Sequence, residues 1–169
     1  MKKFELTAEF VTNVFGKKLF RIKALVAFGN VEKGELGGFI ENEDNLSHDG
    51  NAWVSGNAQV SGNARVFGDA QVSGNAWVSG DAQVSGNAQV SGNADYAVVK
   101  GYGRYFRATT FFRCKDKILR VQCGCFYGDL AQFREIVKKT HGDSKYAKEY
   151  LAIADLMELH FSDECGGEQ

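Results

Sequence analysis

The sequence predicts a mainly β protein: a coil of short stacked strands, begun by a β-hairpin and closed by an α+β cap. Three observations predict it. A six-residue unit repeats eight times without a gap from Gly50. Residues 3–26 alternate apolar and polar types about a glycine-containing turn, and two capped apolar stripes of helical period follow the repeat.

The repeat reads GNAWVS, GNAQVS, GNARVF, GDAQVS, GNAWVS, GDAQVS, GNAQVS, GNADYA. Alanine and valine stand two apart in each unit, so on extended chain they face the same way, and the residues between and after them face the other. Gly followed by Asn or Asp supplies a bend, because both tolerate positive φ. A corner every six residues suits a triangular coil with three strands per turn, 18 residues per layer and about 4.8 Å between layers. Ala and Val then fill its interior. Residues 18 apart stack on one outer face: Trp53 with Gln71 and Gln89, Gln59 with Trp77 and Asp95, Arg65 with Gln83, and Phe67 over Ser85. Trp53, Trp77 and Phe67 thus stand on an otherwise small polar shell. Packing under the flanking segments, a subunit interface or a ligand site would each account for them.

On the N-terminal side, Phe4, Leu6, Ala8 and Phe10 share one face of residues 3–11, and Phe20, Ile22 and Ala24 share one of 18–26, with Asn13–Lys17 as their turn. Leu36-Gly37-Gly38-Phe39-Ile40 reads as a first irregular coil. From Leu46 to Val54 is eight residues rather than six, which places a two-residue bulge around His48-Asp49. Beyond Asp95, residues 96–102, 108–114 and 118–127 read as strands with a turn at Lys115–Lys117. Asp129 and Gln132 form a capping pair for a helix ended by Gly142, and Ser144 caps a second helix to about His160. The last eight residues look frayed. The expected organisation is a hairpin over 1–35, the repeat coil over 36–97, and strands plus two helices over 98–169.

There are 20 glycines, no proline and a net charge of −1. The charge divides as +3 over 1–35, −6 over 36–98 and +2 over 99–169, which excludes a uniformly basic nucleic-acid binder. No apolar run is long enough to span a membrane and the N-terminus lacks the apolar core of a secretion signal, so a cytoplasmic protein is expected.

The eight units resemble the hexapeptide repeats of left-handed parallel β-helix proteins, over about residues 36–97. The resemblance implies that fold, with an aliphatic and a small residue inward in every six. Ser or Phe follows the valine where that family often has Gly, Ala, Glu or Asp. Acyltransferases are the largest enzyme group on the fold and use a histidine base at a subunit junction. Such proteins usually trimerise, so a homo-oligomer, and in particular a trimer, is expected. Here His48, His141 and His160 all lie outside the regular units, and His48 is the candidate base under that resemblance. The coil-shaped carbonic anhydrases bind zinc through histidines that these units do not supply.

Cys123 and Cys125 flank Gly124 and, with Cys114 on a neighbouring strand, could form a thiolate site. They lack paired CxxC spacing, and reduced core thiols are the expectation, as they are for Cys165. No metal and no cofactor is expected. The sharpest polar cluster is Lys100 to Arg120, with Arg104, Arg107 and Arg113 interleaved with Tyr102, Tyr105 and Phe106. Arginine beside aromatic rings suits anions and flat groups, while charge on a strand edge also blocks unwanted pairing.

The whole chain also resembles small proteins widespread in phages and prophages. A segment like Arg21-Ile22-Lys23-Ala24-Leu25 leads there to Gly37-Gly38-Phe39-Ile40-Glu41, then hexapeptide units, then Gly124-Cys125-Phe126-Tyr127-Gly128 and Thr140-His141-Gly142-Asp143. Their transferase label follows from the repeat alone, and fold does not fix function. The expectation is therefore a non-enzymatic phage-type protein that engages a host macromolecule, such as a CRISPR–Cas defence component. Its candidate binding residues are Trp53, Arg65, Phe67, Trp77, Tyr102, Arg104, Tyr105, Arg107 and Arg113. The alternatives are sequestration of a small nucleotide signal and an acyltransferase.

Overall fold

The computed structural model describes residues 2–162. A hairpin, β1 (Phe4–Thr12) and β2 (Lys18–Ala24), leads to β3 (Leu36–Ile40). Seven two-residue strands follow: β4 (Trp53–Val54), β5 (Gln59–Val60), β6 (Arg65–Val66), β7 (Gln71–Val72), β8 (Trp77–Val78), β9 (Gln83–Val84) and β10 (Gln89–Val90). Then come β11 (Tyr96–Val99), β12 (Thr109–Arg113), β13 (Leu119–Cys123), β14 (Phe126–Asp129), α1 (Leu130–His141) and α2 (Lys145–His160). The frayed end expected of the last residues lies, from residue 163 on, outside the described residues.

The short strands pair in parallel with those 18 residues away: Trp53 with Gln71 and Gln71 with Gln89, Gln59 with Trp77, Arg65 with Gln83. Main-chain hydrogen bonds of 2.8–3.0 Å, such as Trp53 N to Ala70 O and Ser55 N to Val72 O, join the layers. The corner glycines from Gly50 to Gly86 have φ between +61° and +71°, a conformation that costs residues with a Cβ about 1–2 kcal/mol. Between the ladders every alanine from Ala52 to Ala88 and every valine from Val54 to Val90 is buried.

The chain is nevertheless not a single left-handed parallel β-helix. Among the described residues the strands form four separate sheets: a mixed one in the order β1-β2-β3-β5-β8, a parallel one β10-β7-β4, a pair β6-β9, and an antiparallel one β11-β12-β13-β14, to which two helices are added. The physical reason is the corner after every two-residue strand, which stops lateral pairing from passing between faces. One face is then extended antiparallel by the hairpin, through Phe20 opposite Ile40.

Each end of a parallel stack leaves unpaired backbone groups, and both ends are closed by specific donors and acceptors. On the first layer, β3 covers one edge, with Phe39 N donating to Ala58 O at 2.9 Å. Asn45 Nδ2 donates to Ala64 O and Gly62 O on the second edge, at 2.8 and 3.1 Å. Lys3 Nζ donates to Ala52 O and Gly50 O on the third, at 2.8 and 3.3 Å. Ile40 pairs with Val60 and Leu46 bridges to Val66, both 20 rather than 18 apart, as the extra residues at His48-Asp49 require. Burial pulls the Lys3 ammonium down to a pKa of about 8, against the opposing pull of Asp49 and Asp69.

At the far end, Thr110 Oγ1 accepts from Gln83 N and Asn93 Oδ1 accepts from Trp77 N, at 2.9 and 2.7 Å, while Tyr96 donates its hydroxyl to Trp77 O. Strand β12 lies across this end and alternates: Phe112 joins the coil interior, while Phe111 joins a second core with Val121, Phe133, Val137, Tyr150, Ile153 and Met157. Asp129 accepts from Gln132 N at 2.8 Å and Gln132 Oε1 from Asp129 N at 2.9 Å, starting α1, and Ser144 caps α2. The stretch expected as one strand over 118–127 is instead β13 and β14, because Gly124, at φ +58°, reverses the chain and sets Cys123 opposite Phe126.

Two outcomes test this arrangement. In Gly68→Ala the new Cβ would lie 2.9 Å from Gly86 N at φ +69°, so urea unfolding should show a loss of about 2 kcal/mol or more, and a variant as stable as the parent would contradict the layer packing. Between pH 8 and pH 10.5 the unfolded chain keeps the Lys3 proton while the folded chain releases it, so Lys3 adds stability as pH rises through that window. Thermal unfolding should show this rise in the parent and a flatter profile in Lys3→Met.

Candidate functional site

The connection between β11 and β12, residues 100–108, leaves the sheet beside α1 and α2. Gly101 and Gly103, at φ +100° and +80°, turn it, and α2 holds it in place. Gly103 N donates to Glu149 Oε1 at 2.9 Å, and the Tyr150 hydroxyl donates to Tyr102 O at 3.4 Å. Tyr102, Tyr105 and Phe106 are 46%, 67% and 64% exposed. The guanidinium carbons of Arg104 and Arg107 lie 5.8 and 5.4 Å from the Tyr105 ring centre, within cation–π range.

Beneath this segment is a cavity of about 220 Å³ whose lining includes Arg104, Tyr105, Arg107, Phe126, Phe133, Thr140, His141 and Tyr150. Its aromatic floor is interlocked. Phe133 meets Phe126 at 5.8 Å and Tyr150 edge-on at 5.7 Å, and His141 stacks on Tyr150 at 5.9 Å. Burial pushes the Tyr150 phenol up to about 12, so it stays protonated at neutral pH.

The basic run from Lys100 to Arg120 is not one patch. Lys100 pairs with Asp81, Arg113 with Asp95 at 3.4 Å and Arg120 with Asp116 at 2.8 Å. The Arg120 guanidinium in turn holds the Asp116 carboxyl down at about 2. Arg21 and Arg134 also have carboxylate partners. Among the described residues Arg104 and Arg107 have none, and they are the two arginines at the cavity.

The nine residues expected to bind do not converge. Tyr102, Arg104, Tyr105 and Arg107 share the 100–108 segment. Arg65 is exposed over a half-buried Phe67, 5.4 Å from its ring centre. Trp77 is 51% exposed on β8, and Arg113 lies 5.3 Å from the Phe161 ring centre. Trp53, expected on the outer shell, is only 2% exposed: Phe28 meets it edge-on at 5.3 Å and the Gly37 backbone lies against its ring. The β2–β3 connection and β3 fold over that face, and the buried indole N–H finds no partner among the described residues. Conversely, Phe126 reads in the sequence as a strand residue, Phe133 and Tyr150 as helix-stripe residues, and Thr140 and His141 as part of the break between the helices. Only the docking of two helices on the sheet brings them beside the arginines.

His48 is a strut. Its Nδ1 accepts the Lys3 backbone N–H at 3.0 Å, which leaves the proton on Nε2, 3.0 Å from Glu43 Oε1, while its ring stacks on Phe4 at 4.2 Å. Lys2 and then His48 hold the Glu43 carboxyl below its ordinary range. With its acceptor nitrogen occupied, this imidazole has no free lone pair to act as a base. The thiolate site that Cys114, Cys123 and Cys125 could have formed is not assembled among the described residues. Cys114 is buried, Cys123 accepts from Thr109 Oγ1 at 3.2 Å and Cys125 is exposed in the turn, while Cys165 lies outside the described residues. Among the described residues no group of three metal-ligating side chains occurs, and no helix is long and apolar enough to cross a membrane.

A family model described as YdcK Beta solenoid repeat matches residues 58–71 and 70–86. No curated protein matches the chain. The matched stretch runs through the short strands from β5 to β9, so this part of the chain is similar to a β-solenoid repeat.

Proposed function

We propose that this is a non-enzymatic, phage-type binding protein that engages a host macromolecule in the host cytoplasm and blunts a defence system such as CRISPR–Cas. One observation carries it: the 100–108 segment presents Tyr102, Tyr105 and Phe106 to solvent, interleaved with two arginines that have no carboxylate partner among the described residues. Exposed aromatic rings with arginine are the composition of interface hot spots, and anchorage on α2 lowers the ordering cost of binding. The phage resemblance of the flanking motifs supports the setting, and the engaged nitrogens of His48 favour binding over acyl transfer. The exposed Trp77 on β8 supports self-association as a homo-oligomer, with a trimer as the form to look for by light scattering.

A second role, sequestration of a small nucleotide, draws support from the same two arginines beside an aromatic cavity. Calorimetry with cyclic and ADP-ribose-type nucleotides tests it, and flat traces eliminate it.

For the first role, tagged protein should recover a stoichiometric partner from host lysate. The double variant Tyr105→Ala, Phe106→Ala should cut recovery by about tenfold or more at unchanged melting temperature. Equal recovery by the variant, or no partner at all, would count against it.

A further inference from the structure

We propose that the cavity between the 100–108 segment and α1 is an anchor pocket for one aromatic side chain of the partner, flanked in that partner by carboxylates. This rests on the binding role above and assigns its chemistry.

Size is the first argument. Drug-sized ligands occupy pockets of roughly 300–1,000 Å³, whereas this cavity holds about 220 Å³. That volume suits a single ring better than a base, sugar and phosphate together. The walls are the second. Phe133 meets Phe126 tilted and Tyr150 edge-on, so the wall offers both ring edges and ring faces to an incoming ring. Thr140 and His141 at the same cavity can bond a phenol or indole N–H.

Charge is the third argument and fixes the flanks. Arg104 and Arg107 stand at the cavity, braced on Tyr105, and each offers a planar fork suited to a carboxylate. Two carboxylates touch this segment among the described residues: Asp81 pairs with Lys100 and Glu149 accepts from Gly103 N, and neither is paired with Arg104 or Arg107. A partner that fills the pocket with an aromatic ring and carries acids beside it satisfies both cations at once.

The test uses the intact chain and a blocked Asp-Trp-Glu peptide, followed by amide chemical shifts. The peptide should move the amides of Gly103 and of Thr140 to Gly142, and Asp-Ala-Glu should not. Thr140→Trp fills the cavity from an exposed position on α1 and should abolish the shifts. Arg104→Glu with Arg107→Glu should weaken binding by about tenfold or more. A melting temperature equal to the parent's shows that each variant is folded. No shift with Asp-Trp-Glu overturns the pocket, as does AMP moving the same amides at lower concentration, which would make it a nucleotide site. Partner capture that survives Thr140→Trp overturns the pocket but not the binding role. Loss of all capture by the parent overturns the binding role.

Discussion

Everything in this fold answers one constraint: parallel two-residue strands stacked 18 residues apart satisfy one another's backbone only in the middle of the stack. The first layer offers carbonyls that nothing in the repeat can meet, and the last offers N–H groups, among them those of Trp77 and Gln83, that no further layer accepts. Buried and unpaired, each would cost on the order of 1–3 kcal/mol. The repeat therefore depends on what flanks it. The Lys3 ammonium and the Asn45 amide take equivalent carbonyl pairs on two edges, and β3 takes the third. Lys3 carries an electrostatic cost, visible in its depressed pKa, and His48 fixes the adjacent backbone by accepting the Lys3 N–H.

The closure at the far end also explains where a partner could be met. Strand β12 spends one face on the coil, through Phe112, and the other on the helices, through Phe111. A sheet used on both faces has little freedom to shift, so the long connection leaving it is held at a defined height beside α1. Its bonds to Glu149 and Tyr150 complete the support. The cavity is thus a by-product of capping: it lies where the second core stops short of the arginine-bearing segment.

Local chemistry made much of this legible. The Gly-Asn and Gly-Asp corners, the inward Ala and Val, the 18-residue register and the two-residue insertion at His48-Asp49 follow from spacing and turn chemistry alone. So does the start of α1, because a capping box depends only on Asp129, Gln132 and the backbone between them. Trp53 was not legible. Its place in the repeat matches that of Trp77, yet one is buried and the other half-exposed, because Phe28 of the β2–β3 connection and Gly37 of β3 lie against Trp53.

The sequence by itself determined the repeat, its inward residues, its register and the helix caps, since each depends on residues close in the chain or at a fixed period. The tertiary structure alone decided that the strands form four separate sheets rather than one left-handed parallel β-helix. It also decided that Trp53 is core, that His48 is a strut and that Arg104 and Arg107 share a cavity with His141 and Tyr150. Those outcomes depend on how distant segments cover the ends of the stack, and no local periodicity encodes that.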